Sequence, residues 1–232
     1  MCPEYLYNND TQDICRHVQE LATKNEPALR AHCQEVSRQT DTSSRALREE
    51  CISRTNAAGD AFEAILNVLS DLSGYLSVRA VFFGMQNGQS AFANVCSAIL
   101  KIEEGRLRLL SCIADLTQVR YALAKGVAEM NQALHFLSVA KRAVPEAWRS
   151  QYAADIKCIE NIYEKVKSAD ADIGEVQKFY MTVIENHLPT FMEKLRVAAD
   201  FNHAGEALNS TTVCTLCREL LVLQNCVPNV SF

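Results

Sequence analysis

Residues 92–137 read FANVCSAILKIEEGRLRLLSCIADLTQVRYALAKGVAEMNQALHFL. Alternating steps of three and four pick out Phe92, Val95, Ile99, Ile102, Arg106, Leu109, Ile113, Leu116, Arg120, Leu123, Val127, Met130, Leu134 and Leu137, and twelve of these fourteen positions are apolar. A side chain returns to the same helix face every three or four residues, so a 3.5-residue repeat held this long predicts a seam facing other helices along its whole length. At 1.5 Å per residue such a helix is about 70 Å long. Arg106 and Arg120 interrupt the seam two heptads apart. Their stems can pack along its edge with the guanidinium groups in water or on a carboxylate, or the two can set register across an interface.

The same rhythm extends to either side. Upstream, Val18, Leu21, Leu29, Cys33 and Val36 carry it weakly, with a bend or restart at Pro27, and Phe62, Ile65, Leu66, Leu69 and Leu72 carry it strongly. Ser73-Gly74 and the GMQNG of residues 84–88 are the two places where the first long helix can hand over to the second. Downstream, KRAVPEAWRS (141–150) stops the pattern at Pro145, a residue suited to the first turn of a helix and not to its interior, so a tight helical hairpin is expected there. Tyr152, Ile156, Ile159, Tyr163, Val166, Ile173, Tyr180, Ile184, Leu188, Phe191 and Leu195 then form another seam, with a bend at Pro189. Leu208, Val213, Leu216, Leu220 and Leu223 continue it to Pro228.

The expectation is an all-α fold, an elongated antiparallel bundle of three long helices. Residues 1–12 form an irregular lead-in, 13–226 a single helical domain and 227–232 a tail. Composition agrees: 8 Gly and 5 Pro in 232 residues leave little turn punctuation, while 48% hydrophobic and 22% charged residues supply a sizeable core. No apolar run approaches the roughly 18 residues of a membrane span, and the first residues lack the basic and apolar segments of a signal peptide, so a cytoplasmic location is expected. The ten cysteines are scattered through a helical chain, and free thiols acting as small hydrophobes are expected.

No catalytic constellation, cofactor or metal site is expected. His17, His32, His135, His187 and His203 are dispersed, without the i, i+4 spacing of a helical metal site. Cys214 and Cys217 form a C-x-x-C without a second ligand pair, so core packing is the simpler reading. Glu49-Glu50 and Glu103-Glu104 point different ways round a helix. No glycine-rich phosphate loop is present, and a nucleic-acid partner is not expected.

Charge is unevenly spread. Residues 1–73 carry 7 basic and 12 acidic residues, 74–142 carry 8 and 4, and 143–232 carry 8 and 12. The middle helix alone is positive, through Lys101, Arg106, Arg108, Arg120, Lys125, Lys141 and Arg142, with Arg149 joining across the hairpin. An ordinary solvated face is one reading. The other is a contact surface for an anionic membrane, where each basic residue contributes about 1 kcal/mol. Arg106, Arg108, Arg120, Lys125, Lys141, Arg142 and Arg149 are the candidate lipid contacts.

Three long helices, a hairpin tip at KRAVPEAWRSQ and one basic helix between acidic ones resemble BAR domains. FYMTVIENHLPTFMEKLRVAADFNHAGEAL is most similar to the ciliary BAR-domain-containing proteins, whose last helix ends in a similar Phe-His-x-x-Ala-Leu stretch; Phe201, His203, Ala207 and Leu208 are the matching positions, with Asn202 splitting the Phe-His pair. The resemblance covers roughly residues 13–225. It implies a homodimer formed by the central parts of the helices, peripheral binding of anionic phospholipid with sensing or shaping of curvature, and a role at the ciliary base with protein partners there. A helical scaffold that binds only proteins is the rival reading.

Overall fold

In the computed structural model the described backbone comprises residues 4–82, 88–203, 218, 219, 221–228 and 230, with side chains described for 12–75 (14 apart), 93–197 and the last short stretches. Every regular element among them is helical. Four helices are long: α1 (Glu4–Lys24), α2 (Glu26–Phe82), α3 (Gly88–Ala143) and α4 (Arg149–Thr182). A 3-10 turn, Glu146–Trp148, precedes α4. A π-helical turn, Val183–His187, leads into α5 (Leu188–His203), and a last 3-10 turn covers Leu223–Cys226.

Two expectations need correction. Helix begins at Glu4 and not near residue 13, because beyond Pro3 nothing in residues 4–12 breaks a helix. Three long helices become four because the restart expected at Pro27 is a complete break at Asn25. The Asn25 N–H donates to the Leu21 carbonyl at 2.8 Å and closes α1, while its Oδ1 accepts from the Ala28 N–H at 3.3 Å and caps α2. Pro27 therefore falls in the first turn, where no N–H is required. Of the two candidate handovers, Ser73-Gly74 lies within α2, and the helices part between Phe82 and Gly88. Residues 84–87 of the expected Asn-Gly turn lie outside the described residues, as do Ala207, Leu208, Val213, Cys214, Leu216, Cys217 and Leu220 and the side chains of Phe92, Phe201 and His203.

The chain divides into two compact units, one of residues up to Cys51 with Val119–Ala171, the other of Ile52–Gln118 with Asp172–Val230. No loop marks the division, since α2, α3 and α4 each run from one unit into the other. In the first unit α2 and α3 run antiparallel: a Cβ on Gly126 would meet Leu47, and further along α3 the ring of Phe136 stands edge-on to His32 at 5.0 Å. In the second unit they do the same. Arg54 reaches Asp115 at 3.1 Å, the Cys112 thiol lies 3.6 Å from the Ala57 carbonyl, and Gly105 abuts Ile65.

The α3 seam is the core of both units. Val95, Ile102, Leu109, Leu116, Leu123, Met130 and Leu137, spaced by heptads, are all buried. Ile99, Arg106, Arg120, Val127 and Leu134 of the adjoining column are half-buried, and Ile113 is buried. A second flanking column was not foreseen: Ala98, Gly105, Cys112, Val119, Gly126, Ala133 and Ala140. These are small residues, and at Gly105 and Gly126 a Cβ would stand 2.6 Å from Ile65 Cγ1 and 2.7 Å from Leu47 Cδ1. Missing side chains are what let α2 lie this close.

On α4, Tyr152, Ile159, Val166, Ile173 and Tyr180 are buried at heptad spacing, after which Leu188 and Leu195 take over. The step from Tyr180 to Leu188 is one residue longer than a heptad, and the π turn between them absorbs that residue. It leaves His187 exposed and sets Leu188 on the core face. The disturbance expected at Pro189 is thus a π turn just ahead of it, where the missing N–H and the ring would otherwise meet a regular ladder.

Candidate functional site

The connection between α3 and α4 is fixed by backbone geometry. Val144 N–H closes the last turn of α3 onto Ala140 at 3.2 Å, and Pro145, with φ −58° and ψ 152°, turns the chain outward. Trp148 N–H then donates to the Pro145 carbonyl at 3.0 Å, and α4 starts at Arg149. Val144 is buried beneath this turn and anchors it.

Four basic residues converge on or beside this end of the first unit. Arg142 and Arg149 are exposed, Lys141 is half-buried, and none of the three has a carboxylate within ion-pair distance among the described residues. The fourth, Arg30, comes from the first turns of α2: its guanidinium carbon lies 4.0 Å from the centroid of the Trp148 ring, and its Nη2 meets Glu26 Oε1 at 3.2 Å. Trp148 is the chain's one tryptophan and is 37% exposed, so one part of the indole stacks on Arg30 while another meets solvent. Glu146 is the only acid in residues 141–149, against Lys141, Arg142 and Arg149, which leaves this connection net positive.

Beneath the turn the environment becomes dry. Tyr152 is 2% exposed, and its hydroxyl and Arg30 Nε are buried without a hydrogen-bond partner among the described residues. Burial, with Cys33, Glu26 and Asp155 nearby, pushes the Tyr152 phenol above its ordinary pKa, and burial likewise raises the Asp155 carboxyl. Cys33 is pushed up to about 12, by burial first and by Asp155 second. The thiol therefore stays protonated at neutral pH and serves as packing. Cys51, at about 12, and Cys112 in the second unit are raised for the same leading reason. Cys15, Cys33, Cys51, Cys96, Cys112, Cys158 and Cys226 are free thiols.

The remaining candidates lie along α3 and are mostly committed to acids. In the second unit Arg106 Nε donates to Glu103 Oε2 at 2.8 Å, and Arg196 Nη2 lies 3.4 Å from Glu103 Oε1, so one carboxylate serves two guanidinium groups. In the first unit Arg120 Nε meets Asp170 Oδ1 at 2.9 Å, linking α3 to α4, and Lys125 lies 3.7 Å from Glu129. Of the two readings of the seam arginines, packed stem with guanidinium on a carboxylate describes both. Arg108 is exposed and without an ion pair among the described residues.

Sequence reasoning did not single out Arg30 or Trp148. Arg30 is more than a hundred residues from the tip in sequence, and only packing brings it there. Trp148 could have been found, as a lone tryptophan inside a basic turn. Compared with known proteins, the chain matches no family model, no curated protein and no solved structure. Among the described residues no helix is long and apolar enough to cross a membrane.

Proposed function

We propose that this chain is a non-enzymatic, BAR-like module that acts as a homodimer on anionic membrane surfaces, sensing or shaping their curvature. The observation that carries the reading is the α3–α4 connection, where a partly exposed Trp148 shares a turn with Lys141, Arg142 and Arg149, whose charges meet no carboxylate among the described residues. Tryptophan prefers the boundary between water and acyl chains, and basic side chains are drawn to acidic headgroups, so the two together suit a bilayer better than either does alone. Arg106, Arg120 and Lys125 contribute less, because Glu103, Asp170 and Glu129 already compensate them. The resemblance to ciliary BAR-domain proteins extends the reading to the ciliary base.

Co-sedimentation with vesicles of 70% phosphatidylcholine and 30% phosphatidylserine tests it. At about 1 kcal/mol per basic residue, K141Q/R142Q/R149Q lowers the partition coefficient on the order of 100-fold, less as salt rises. Unchanged binding by that variant would remove the tip from the mechanism. Failure of the unaltered chain to bind at any salt concentration would leave the scaffold that binds only proteins. Light scattering with small-angle X-ray scattering checks the oligomer: an elongated particle of twice 25.8 kDa fits the reading, and a compact monomer does not.

A further inference from the structure

We infer that the outward face of α3 in the second unit is a hydrophobic membrane anchor, with Leu100 and Leu107 entering the headgroup region of an anionic bilayer and Lys101 and Arg108 meeting its phosphates. The inference rests on the membrane reading above and adds a second contact of a different kind. Leu100 is 66% exposed and Leu107 60%. They are one heptad apart, hence on one face and about 10 Å apart along the helix. Exposed Ala93 and Ala114 continue the same line. Val95, Ile102 and Leu109 fill the core on the opposite side, so the leucines cannot turn inward without rolling the whole helix.

Charge complementarity identifies the occupant. Lys101 and Arg108 are exposed on this face and have no ion-pair partner among the described residues, whereas Arg54, Arg106 and Arg196 of the same unit are held by Asp115 and Glu103. Two cations unpaired among the described residues, beside two exposed leucines, suit a surface that is apolar beneath and anionic above. A partner protein fits less well. Exposed Ser97, Glu104 and Ser111 line one side of the leucines, so polar side chains border the apolar pair where a stable protein interface has an apolar centre. Glu104, exposed between Leu100 and Leu107, opposes an anionic surface, and this makes it the most informative position to change.

The test uses the full chain and the same vesicles. Trp148 is the only tryptophan, so L100W/W148F, compared with W148F alone, places a single fluorophore on this face. Its emission should shift to the blue on adding vesicles and be quenched by brominated lipid. L107S should weaken binding on the order of tenfold and abolish what persists at high salt, because the lost contribution is apolar. E104Q should tighten binding about fivefold. If the unaltered chain binds and Trp148 reports contact while a tryptophan at 100 stays in water and E104Q has no effect, this inference falls and the tip reading stands. If the unaltered chain does not bind, both fall. A blue shift that grows with protein concentration without vesicles would show a second copy covering the face, and would overturn the lipid assignment.

Discussion

Gly105→Ala should destabilise the protein although it places the best helix former in the middle of a helix. In an open position the exchange gains about 1 kcal/mol, since glycine loses more backbone freedom on folding. At Gly105 the new methyl would stand 2.6 Å from Ile65 Cγ1, 3.4 Å from Cδ1 and 3.8 Å from Cβ. Ile65 is 1% exposed and branched at Cβ, so it cannot swing aside, and the added volume must move α2 or force a strained rotamer. Overpacking of this kind costs about 1–3 kcal/mol, leaving a net loss of about 1 kcal/mol and a midpoint lower by about 2–4 °C in a chain of this size. Gly74, in α2, has nothing within 4 Å of an added Cβ, and Gly74→Ala should instead raise the midpoint by a similar amount. Thermal melts and urea titrations followed by circular dichroism compare the two directly. Ile65→Ala completes a cycle: it removes the colliding atoms, so in that background Gly105→Ala should turn stabilising, with a coupling of about 2 kcal/mol. If Gly105→Ala stabilises the unaltered chain as much as Gly74→Ala does, α2 and α3 do not approach through the small column and the packing described above is wrong.

Alkali should loosen the fold. Cys33 and Cys51 hold pKa values of about 12 in the folded chain against an ordinary 9.0, so between those values the unfolded chain loses protons the folded one keeps. The contribution of these thiols to stability is therefore present below about pH 9 and lost as pH rises toward 12, a slope that C33A/C51A should flatten in melts across that range. At neutral pH a thiol reagent should label exposed Cys158 at once and reach Cys33, Cys51 and Cys112 only on unfolding; rapid labelling of the buried three would contradict their placement. The π turn yields a register test. Deleting Glu185 together with Pro189→Ala should keep Leu188, Phe191 and Leu195 inward and leave stability within about 1–2 kcal/mol, because the turn holds the one residue in excess of the heptad. Deleting Glu175 instead offsets Ile173 from Tyr180, and a cooperative melt from that variant would show that the heptad column does not govern α4.

The seams on α3 and α4 were legible because periodicity is a property of the local backbone: whichever helix comes to face it, a residue seven further on returns to the same side. The heptad positions from Val95 to Leu137 and from Tyr152 to Tyr180 are buried as the spacing placed them, while Ile99, Val127, Leu134, Ile156 and Tyr163 are half-buried. Pattern reading looks for large apolar residues, and so it passed over Ala98, Gly105, Gly126 and Ala133. The role of the two glycines is visible only against Ile65 and Leu47, which stand opposite them on α2. Helix ends were partly legible. Pro27 and Pro145 marked breaks, but that Asn25 both closes α1 and caps α2 depends on hydrogen bonds a propensity cannot specify.

For the candidate site, sequence determined the positive balance of residues 74–142 and the basic residues of the tip. Beyond the local pairs Arg106–Glu103 and Lys125–Glu129, which charges are paired was decided by tertiary structure. Asp170 comes from another helix to hold Arg120, Glu103 is shared between Arg106 and Arg196, and Arg30 crosses to Trp148. The reason is physical: a helix face repeats by itself, whereas the partner of a charge depends on which residues, 50 or more apart in the chain, packing brings within a few ångströms.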